Sequence, residues 1–534
     1  MRGKATSTLV DEYNATDNRQ IDSQHGKRSS DNSAAGEQPA STPTSRRLTA
    51  DDFATCGSLA LLLISAYILN TYLFPPVATL FPAGREISTY CGVAFSVLVA
   101  VLAYRRPAVM REGVWSLACI VLFAVGLVLL YLGLVAKNPL SVALGSPFGG
   151  IGAVWFSVLV GLALIKLGAQ RSMVVIPTAF VLKYAVQFGL ALLGDSLPLL
   201  VALVLYFACT LLAYLLIRPR IHTMIETLRA SESPTVLDAT NPSSFLPFSS
   251  LVYVSMFLFN AACGYAFARQ DGTLSQEAAL LTFAPVVIVF FIVVAARARL
   301  SADVLYQTST LLVFGGLLLA PLAMIGSLGA STTPADFYAS SVLLYAGSDC
   351  FSVLTYYLIA AVGARNPVGA LSTSAFALAA NWLGIGCGAL VAQGISGLGA
   401  HEWELLLWAS ALLTFLFMLF NFVVMRRFSF EETIQGVRPA HPTSREHEEA
   451  TGDETDFSWF DQACDEVIDT FGLTPRESDV LRLLARGRTS PVIQEKLFLS
   501  HNTVKTHVRH IYAKLDIHSQ QELINIIERE GSQR

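Results

Sequence analysis

Lys505, Thr506 and Arg509, with Asn502 and Ala513, fall on one side of a helix when the stretch after Ser500 is wound at 3.6 residues per turn. The other side carries Val504, Val508, Ile511 and Leu515, an apolar stripe that calls for burial. The polar side therefore presents two cations, two small polar groups and no carboxylate. Such a face suits a DNA major groove, where Arg and Lys bond guanine edges and a Thr methyl meets a thymine methyl. Thr503 joins this candidate set, and Arg488, His507, His510 and Lys514 flank it at positions suited to phosphate oxygens. A solvated basic face on a small helical domain is the alternative. The elements around the face decide between the two.

Those elements are written out in caps and turns. Thr474-Pro475-Arg476-Glu477 spells a capping box with Pro at the first helical position. Gly487 ends that helix, with Arg482 and Arg486 near its negative end. Thr489 is placed to cap a second short helix through Leu497. Phe498 and Leu499 make the turn, and Ser500 is placed to cap the basic helix. Ser519-Gln520-Gln521-Glu522 spells a second capping box and opens a fourth helix. Two helices joined by a three-residue turn, the second of them basic, describe a helix-turn-helix DNA reader.

Residues 473–527 resemble the LuxR-type (GerE) helix-turn-helix domain. The resemblance is carried by LTPRE, the LL…G stretch, IxEKLFLS, TVKTHV and the AKL before the last helix. It covers about a tenth of the chain. It implies base-reading roles for Lys505, Thr506 and Arg509, and dimerisation through the fourth helix, which offers Leu523, Ile524 and Ile527. Gln494 stands where the family has a small residue, and Pro491 and Val492 replace more polar ones. Asp516 stands where the family has glycine, and it tolerates a left-handed conformation less easily.

The rest of the 534-residue chain is of another kind. It is 53% hydrophobic and only 14% charged, with net charge −4. Residues 1–50 are polar, hold no apolar core and no signal-peptide stretch, and read as a disordered cytoplasmic tail. A span needs about 20 apolar residues. Spans are expected near 56–74, 87–104, 114–135, 142–165, 173–193, 196–217, 248–268, 278–296, 304–328, 337–363, 368–392 and 403–425, about twelve in all. Alternate joints hold Arg105, Arg106 and Arg111; Lys166 and Arg171; Arg218, Arg220 and Arg229; Arg297 and Arg299; Arg365; and Arg426 and Arg427. The opposite joints hold mainly Arg85, Lys137 and Arg269. The positive-inside rule thus predicts a bacterial cytoplasmic membrane protein with both termini and the 218–247 loop in the cytoplasm, where DNA is.

The six-plus-six layout resembles that of major facilitator transporters, built from two parallel repeats. The joint YRRPAVMREG has arginines but not the Asp and glycine spacing usual in that family. Within the spans, Lys183 and Asp349 are ionisable. Charge at membrane depth costs roughly 2.5–3.5 kcal/mol on insertion scales, so such groups face a cavity or a partner. They and Asn260 are the candidate ligand site; snorkelling and a position near a span end are the bland alternatives. Tyr253, Tyr345, Gln187, Asn381 and Trp382 are lesser candidates, more simply read as interhelical contacts. The eight cysteines form no CxxC and read as small buried residues, not as a metal or disulfide framework. No nucleophile elbow, P-loop, HExxH, kinase motif or receiver domain occurs, so neither catalysis nor a cofactor is expected.

The fold class expected is all-α: a polytopic membrane helix bundle with a C-terminal four-helix reader. The boundaries expected are a tail over 1–50, a sensor-like membrane domain over 51–427, an acidic tether over 428–456, and the reader with a leading helix over 457–534. The leading helix has an apolar face of Phe460, Cys464, Val467, Ile468 and Phe471, and its acids either aid solubility or shield the basic helix. Three functions fit. One is a membrane-embedded, one-component transcription regulator with a small-molecule ligand, promoter DNA and the bilayer as partners, homodimeric on DNA. Another is a secondary transporter with a fused regulatory tail. The third is a membrane tether for the nucleoid.

Overall fold

The computed structural model describes residues 49–192, 197–230, 244–269, 301–328, 334–396, 402–437 and 458–532, with 234, 287 and 288 besides. Among the described residues the ordered elements are helices. The long apolar ones are α1 (Ala50–Ile68), α2 (Gly84–Arg105), α3 (Glu112–Val135), α4 (Pro139–Leu164), α5 (Gly168–Leu192), α6 (Leu199–Ala230), α7 (Leu251–Arg269), α8 (Ala302–Leu328), α9 (Pro334–Arg365), α10 (Ala370–Ser396) and α11 (Glu402–Leu419). Each coincides with an expected span. The expected span over 278–296 lies almost wholly outside the described residues, as does Thr235 of the central loop. Ten segments among the described residues are long and apolar enough to cross a membrane; the one over Pro139–Leu190 holds both α4 and α5. It breaks at Gly168, whose φ of 63° and ψ of 175° are reached at little cost without a Cβ.

The chain is thus a polytopic membrane helix bundle. Between apolar helices in lipid, close packing and hydrogen bonds replace the hydrophobic drive, so small residues gather at contacts. A Cβ at Gly388 of α10 would strike the Ala261 carbonyl of α7, and one at Gly126 of α3 would strike the Gly149 backbone of α4. Across the two halves, Ser96 of α2 donates to Ala375 O of α10 at 2.8 Å, and Ser372 of α10 donates to Ala100 O of α2 at 2.9 Å.

After α11 the chain passes through a π turn and a 3-10 turn into a short helix, α12 (Phe430–Gly436). This stretch belongs to the span expected to be solvated tether. Instead Phe430, Ile434 and Val437 are buried in the core of the membrane body. Asp303, at the start of α8, accepts hydrogen bonds from Ser429 Oγ and Phe430 N–H, both at 2.7 Å. Arg365, at the end of α9, donates to the Gln435 and Val437 carbonyls at 2.9 and 3.0 Å. A carboxylate at the N-terminus and a guanidinium at the C-terminus match the helix dipole.

The C-terminal body has a separate core. Its helices are α13 (Ser458–Phe471), α14 (Pro475–Ala485), α15 (Ser490–Leu497), α16 (His501–Leu515) and α17 (Gln520–Ser532). α13 is the leading helix, and Phe460, Cys464 and Val467 are buried as its apolar stripe predicts. Phe471 keeps 39% of its surface exposed and lies outside that core.

Candidate DNA interface and membrane ion pair

The position of α16 is fixed by its own sequence. Ser500 Oγ accepts from Thr503 N–H at 3.2 Å and starts the helix. Val504, Val508, Ile511 and Leu515 are buried as their spacing predicts, and Tyr512 joins them. Asp516 ends the helix in the left-handed conformation, φ 51° and ψ 43°, at the place where a glycine would be less strained. Asn502, Thr506, Arg509 and Ala513 are exposed, and Lys505 and His507 are half-buried. Thr506 Oγ1 donates to the Asn502 carbonyl one turn back at 2.9 Å. The turn before α16 holds Phe498 at φ 54° with 94% of its surface exposed.

α14 anchors the frame behind this face. Its capping box closes: Thr474 N–H donates to Glu477 Oε2 at 2.9 Å and Glu477 N–H to Thr474 Oγ1 at 3.4 Å. Glu477 is 4% exposed and takes a third bond, from Lys514 Nζ at 2.8 Å. Burial opposes its ionisation and is the largest influence. The bonds from Lys514 and Thr474 outweigh it and hold the carboxyl at about 2, well below the usual 4.5. Lys514 also donates to Gly472 O at 3.0 Å, and His510 Nδ1 lies 3.5 Å from Glu477. Lys514, a candidate for phosphate contact, is thus engaged by the frame itself.

Other expectations meet different geometry. Thr489 begins α15 but makes no side-chain cap bond. Pro491, the second residue of that helix, has no N–H to offer it. Ser519 Oγ accepts from Glu522 N–H at 3.2 Å, while Glu522 reaches the N–H of His518, one residue before the expected partner. Leu523 and Ile527 are 0% and 1% exposed, because α17 turns them onto α13 and α14. Of the three residues proposed for dimerisation, Ile524 alone keeps surface. Two acids of α13 are engaged within the frame. Asp461 and Asp465 pair with Arg482 and Arg486 of α14.

In the membrane body, Lys183 and Asp349 meet. Lys183 Nζ of α5 lies 3.1 Å from Asp349 Oδ2 of α9, and the Tyr184 hydroxyl donates to the same oxygen. Neither snorkelling nor a position at a span end describes them. Asn260 lies elsewhere, bonded to Asn381 at 2.5 Å between α7 and α10. Tyr345 stacks on Phe267 with centroids 4.4 Å apart, and Tyr253 meets Phe376 edge-on at 4.8 Å.

Three buried acids escaped the sequence reading: Asp52 of α1, 3% exposed and 3.2 Å from Arg171 of α5, and the two that follow. Glu112, 2% exposed, accepts from Ser116 at 3.1 Å and from Tyr214, with His222 Nδ1 3.4 Å from its other oxygen. Glu86, 8% exposed, accepts from Gln393 of α10 at 2.7 Å. Each sits in the first turn of a span and looks like part of a polar joint. A Ser one turn after Glu112 was the available signal.

Residues 472–527 match the family of bacterial regulatory proteins, luxR family, and form a LuxR-type helix-turn-helix domain. A Mycobacterium tuberculosis (strain ATCC 25618 / H37Rv) protein described as an HTH-type transcriptional regulator is 45% identical over 60 residues, 11% of this chain and 7% of that one. The nitrate/nitrite response regulator NarL of Escherichia coli (strain K12) is 42% identical over 50 residues, 9% of this chain and 23% of its own length. The chain thus spans only a small part of these relatives. The membrane body shares the fold of a bacterial homologue of the iron transporter ferroportin, captured outward-facing. That likeness has a TM-score of 0.50 at 14% identity, covering 71% of this chain and 100% of the other.

Proposed function

We propose that the chain is a membrane-embedded, one-component transcription regulator. A small molecule bound among the spans shifts the reader toward or away from a promoter-bound dimer. Lys505, Thr506, Arg509 and Asn502 read base edges; Thr503, His507, His510 and Arg488 meet the backbone. Both termini are cytoplasmic, as the alternating arginines require.

The observation that carries this reading is the docking of α12. The path from the last span to the reader begins with a helix whose two ends are capped by Asp303 of α8 and Arg365 of α9. α9 is also the helix that holds Asp349. Sixteen residues of helix separate Asp349 from Arg365, about 24 Å at 1.5 Å per residue. A movement of α9 therefore acts on the Lys183 pair and on the root of the reader together. A transporter with a passive tail has no need of such a root.

The test compares three proteins on a promoter first found by footprinting with the reader alone. Reporter output is measured with the intact chain, the detached 457–534 reader, and the intact chain carrying Asp349→Asn. The detached reader should act constitutively, and Asp349→Asn should change output at unchanged abundance. Equal output from all three, or solute flux through the membrane body with no effect on transcription, would defeat the regulator reading.

A further inference from the structure

The Lys183 ammonium sits in a built enclosure. Asp349 lies 3.1 Å away, the Tyr184 ring centroid 4.6 Å and the Phe180 ring centroid 5.8 Å. Tyr345, one turn before Asp349 on α9, stacks on Phe267 of α7. A carboxylate with a hydroxyl on it, walled by ring faces, is the chemistry that recognises ammonium groups. The lysine side chain keeps 14% of its surface exposed and the aspartate 20%, so neither is sealed off.

We propose that this is a binding site for an organic cation, an amine with an aromatic or alkyl body, and that Lys183 is the resident occupant the ligand displaces. The inference rests on the sensor reading of the membrane body. It names the ligand class.

An anionic ligand taking Lys183 from Asp349 is the opposite possibility, and the two side chains decide against it. Asp349 has a one-carbon stem and cannot leave. Stripped of Lys183, it would stay at membrane depth as an uncompensated charge. Lys183 has a four-carbon stem and can leave. Gln187, one turn along α5, offers an amide oxygen within helical reach. Exchange of one ammonium for another keeps Asp349 paired throughout, so the aromatic walls and the ligand's apolar body set the affinity.

The experiment uses the full chain in nanodiscs and follows its thermal unfolding midpoint. The probes are phenethylammonium, benzyltrimethylammonium and butylammonium, with 3-phenylpropionate and 2-phenylethanol as charge-inverted and neutral counterparts. At least one cation should raise the midpoint saturably. Lys183→Met, which removes the resident competitor, should bind that cation at least tenfold more tightly. Asp349→Asn should lose the effect. If Lys183→Met does not fold, Lys183→Gln and competition on the unaltered chain replace it. The proposal is overturned if no cation acts on the unaltered chain or the lysine variants, if 3-phenylpropionate acts instead, or if the shift survives Asp349→Asn. A cation that binds as described but leaves DNA occupancy unchanged supports the site and removes the regulator reading alone.

Discussion

Glu477→Gln tests the frame that aims the basic helix. The carboxylate is 4% exposed and receives Lys514, the Thr474 N–H and, at 3.5 Å, His510. Its folded value of about 2, against an ordinary 4.5, favours the charged form by roughly 3 kcal/mol at about 1.4 kcal/mol per pH unit. The folded value is the lower one, so this stability is complete above about pH 4.5 and is lost as pH falls through 4.5 toward 2. Glutamine keeps one acceptor oxygen, so roughly 2–3 kcal/mol is the expected loss at pH 7. Urea unfolding of the 457–534 reader at pH 7, and again at steps from pH 5 to 2.5, measures it. The gap between the two proteins should close to below about 1 kcal/mol at the acid end. A gap under about 1 kcal/mol at neutral pH, or one that does not narrow with acid, would refute the clamp.

Lys505→Ala with Arg509→Ala should abolish or relax specific protection in footprinting at about 1–3 kcal/mol per lost base contact, with the fold intact, because both lie off the buried stripe; unchanged protection by the folded double variant sinks the groove assignment. Arg365→Ala should free α12, read as faster maleimide labelling of an Ile434→Cys variant, since Ile434 is only 3% exposed when docked; an unchanged rate means Arg365 does not hold it. Reporter fusions after Arg427 and near Thr235 should respond as cytoplasmic, and an extracytoplasmic signal at either would overturn the topology together with the regulator reading.

Local rules carried far in this chain. The capping box at Thr474–Glu477, the cap at Ser500 and the buried stripe of α16 each depend on a few neighbouring residues, and each forms as its sequence reads. The spans are legible because lipid requires long apolar helices whatever their neighbours. What could not be read depends on contacts distant in sequence. Lys183 and Asp349 are separated by 166 residues, and no periodicity tells that α5 and α9 touch. Leu523 and Ile527 satisfy a dimer seam and a core equally well by type, and the presence of α13 decides for the core. α12 escaped for the same reason. A seven-residue helix has no stability of its own: Ser429 caps it locally, accepting from Glu432 N–H at 3.1 Å, but the bonds that dock it come from residues over 60 positions upstream, as the 70-residue separation of Arg365 and Gln435 illustrates.

That borrowed docking sets where this protein can be recombined. Membrane and DNA-reading parts look separable at Arg427, where the last span ends. A graft made there would detach Phe430, Ile434 and Val437 from the surface that folds them, and a foreign bundle lacking an Asp303 and an Arg365 would receive an unfolded stub. The natural seam of the molecule lies after Val437. A chimera cut at that point carries its own socket and plug. Gene fusion can therefore exchange readers on this membrane body, but it cannot exchange membrane bodies beneath residues 429–437 without carrying the ends of α8 and α9 along.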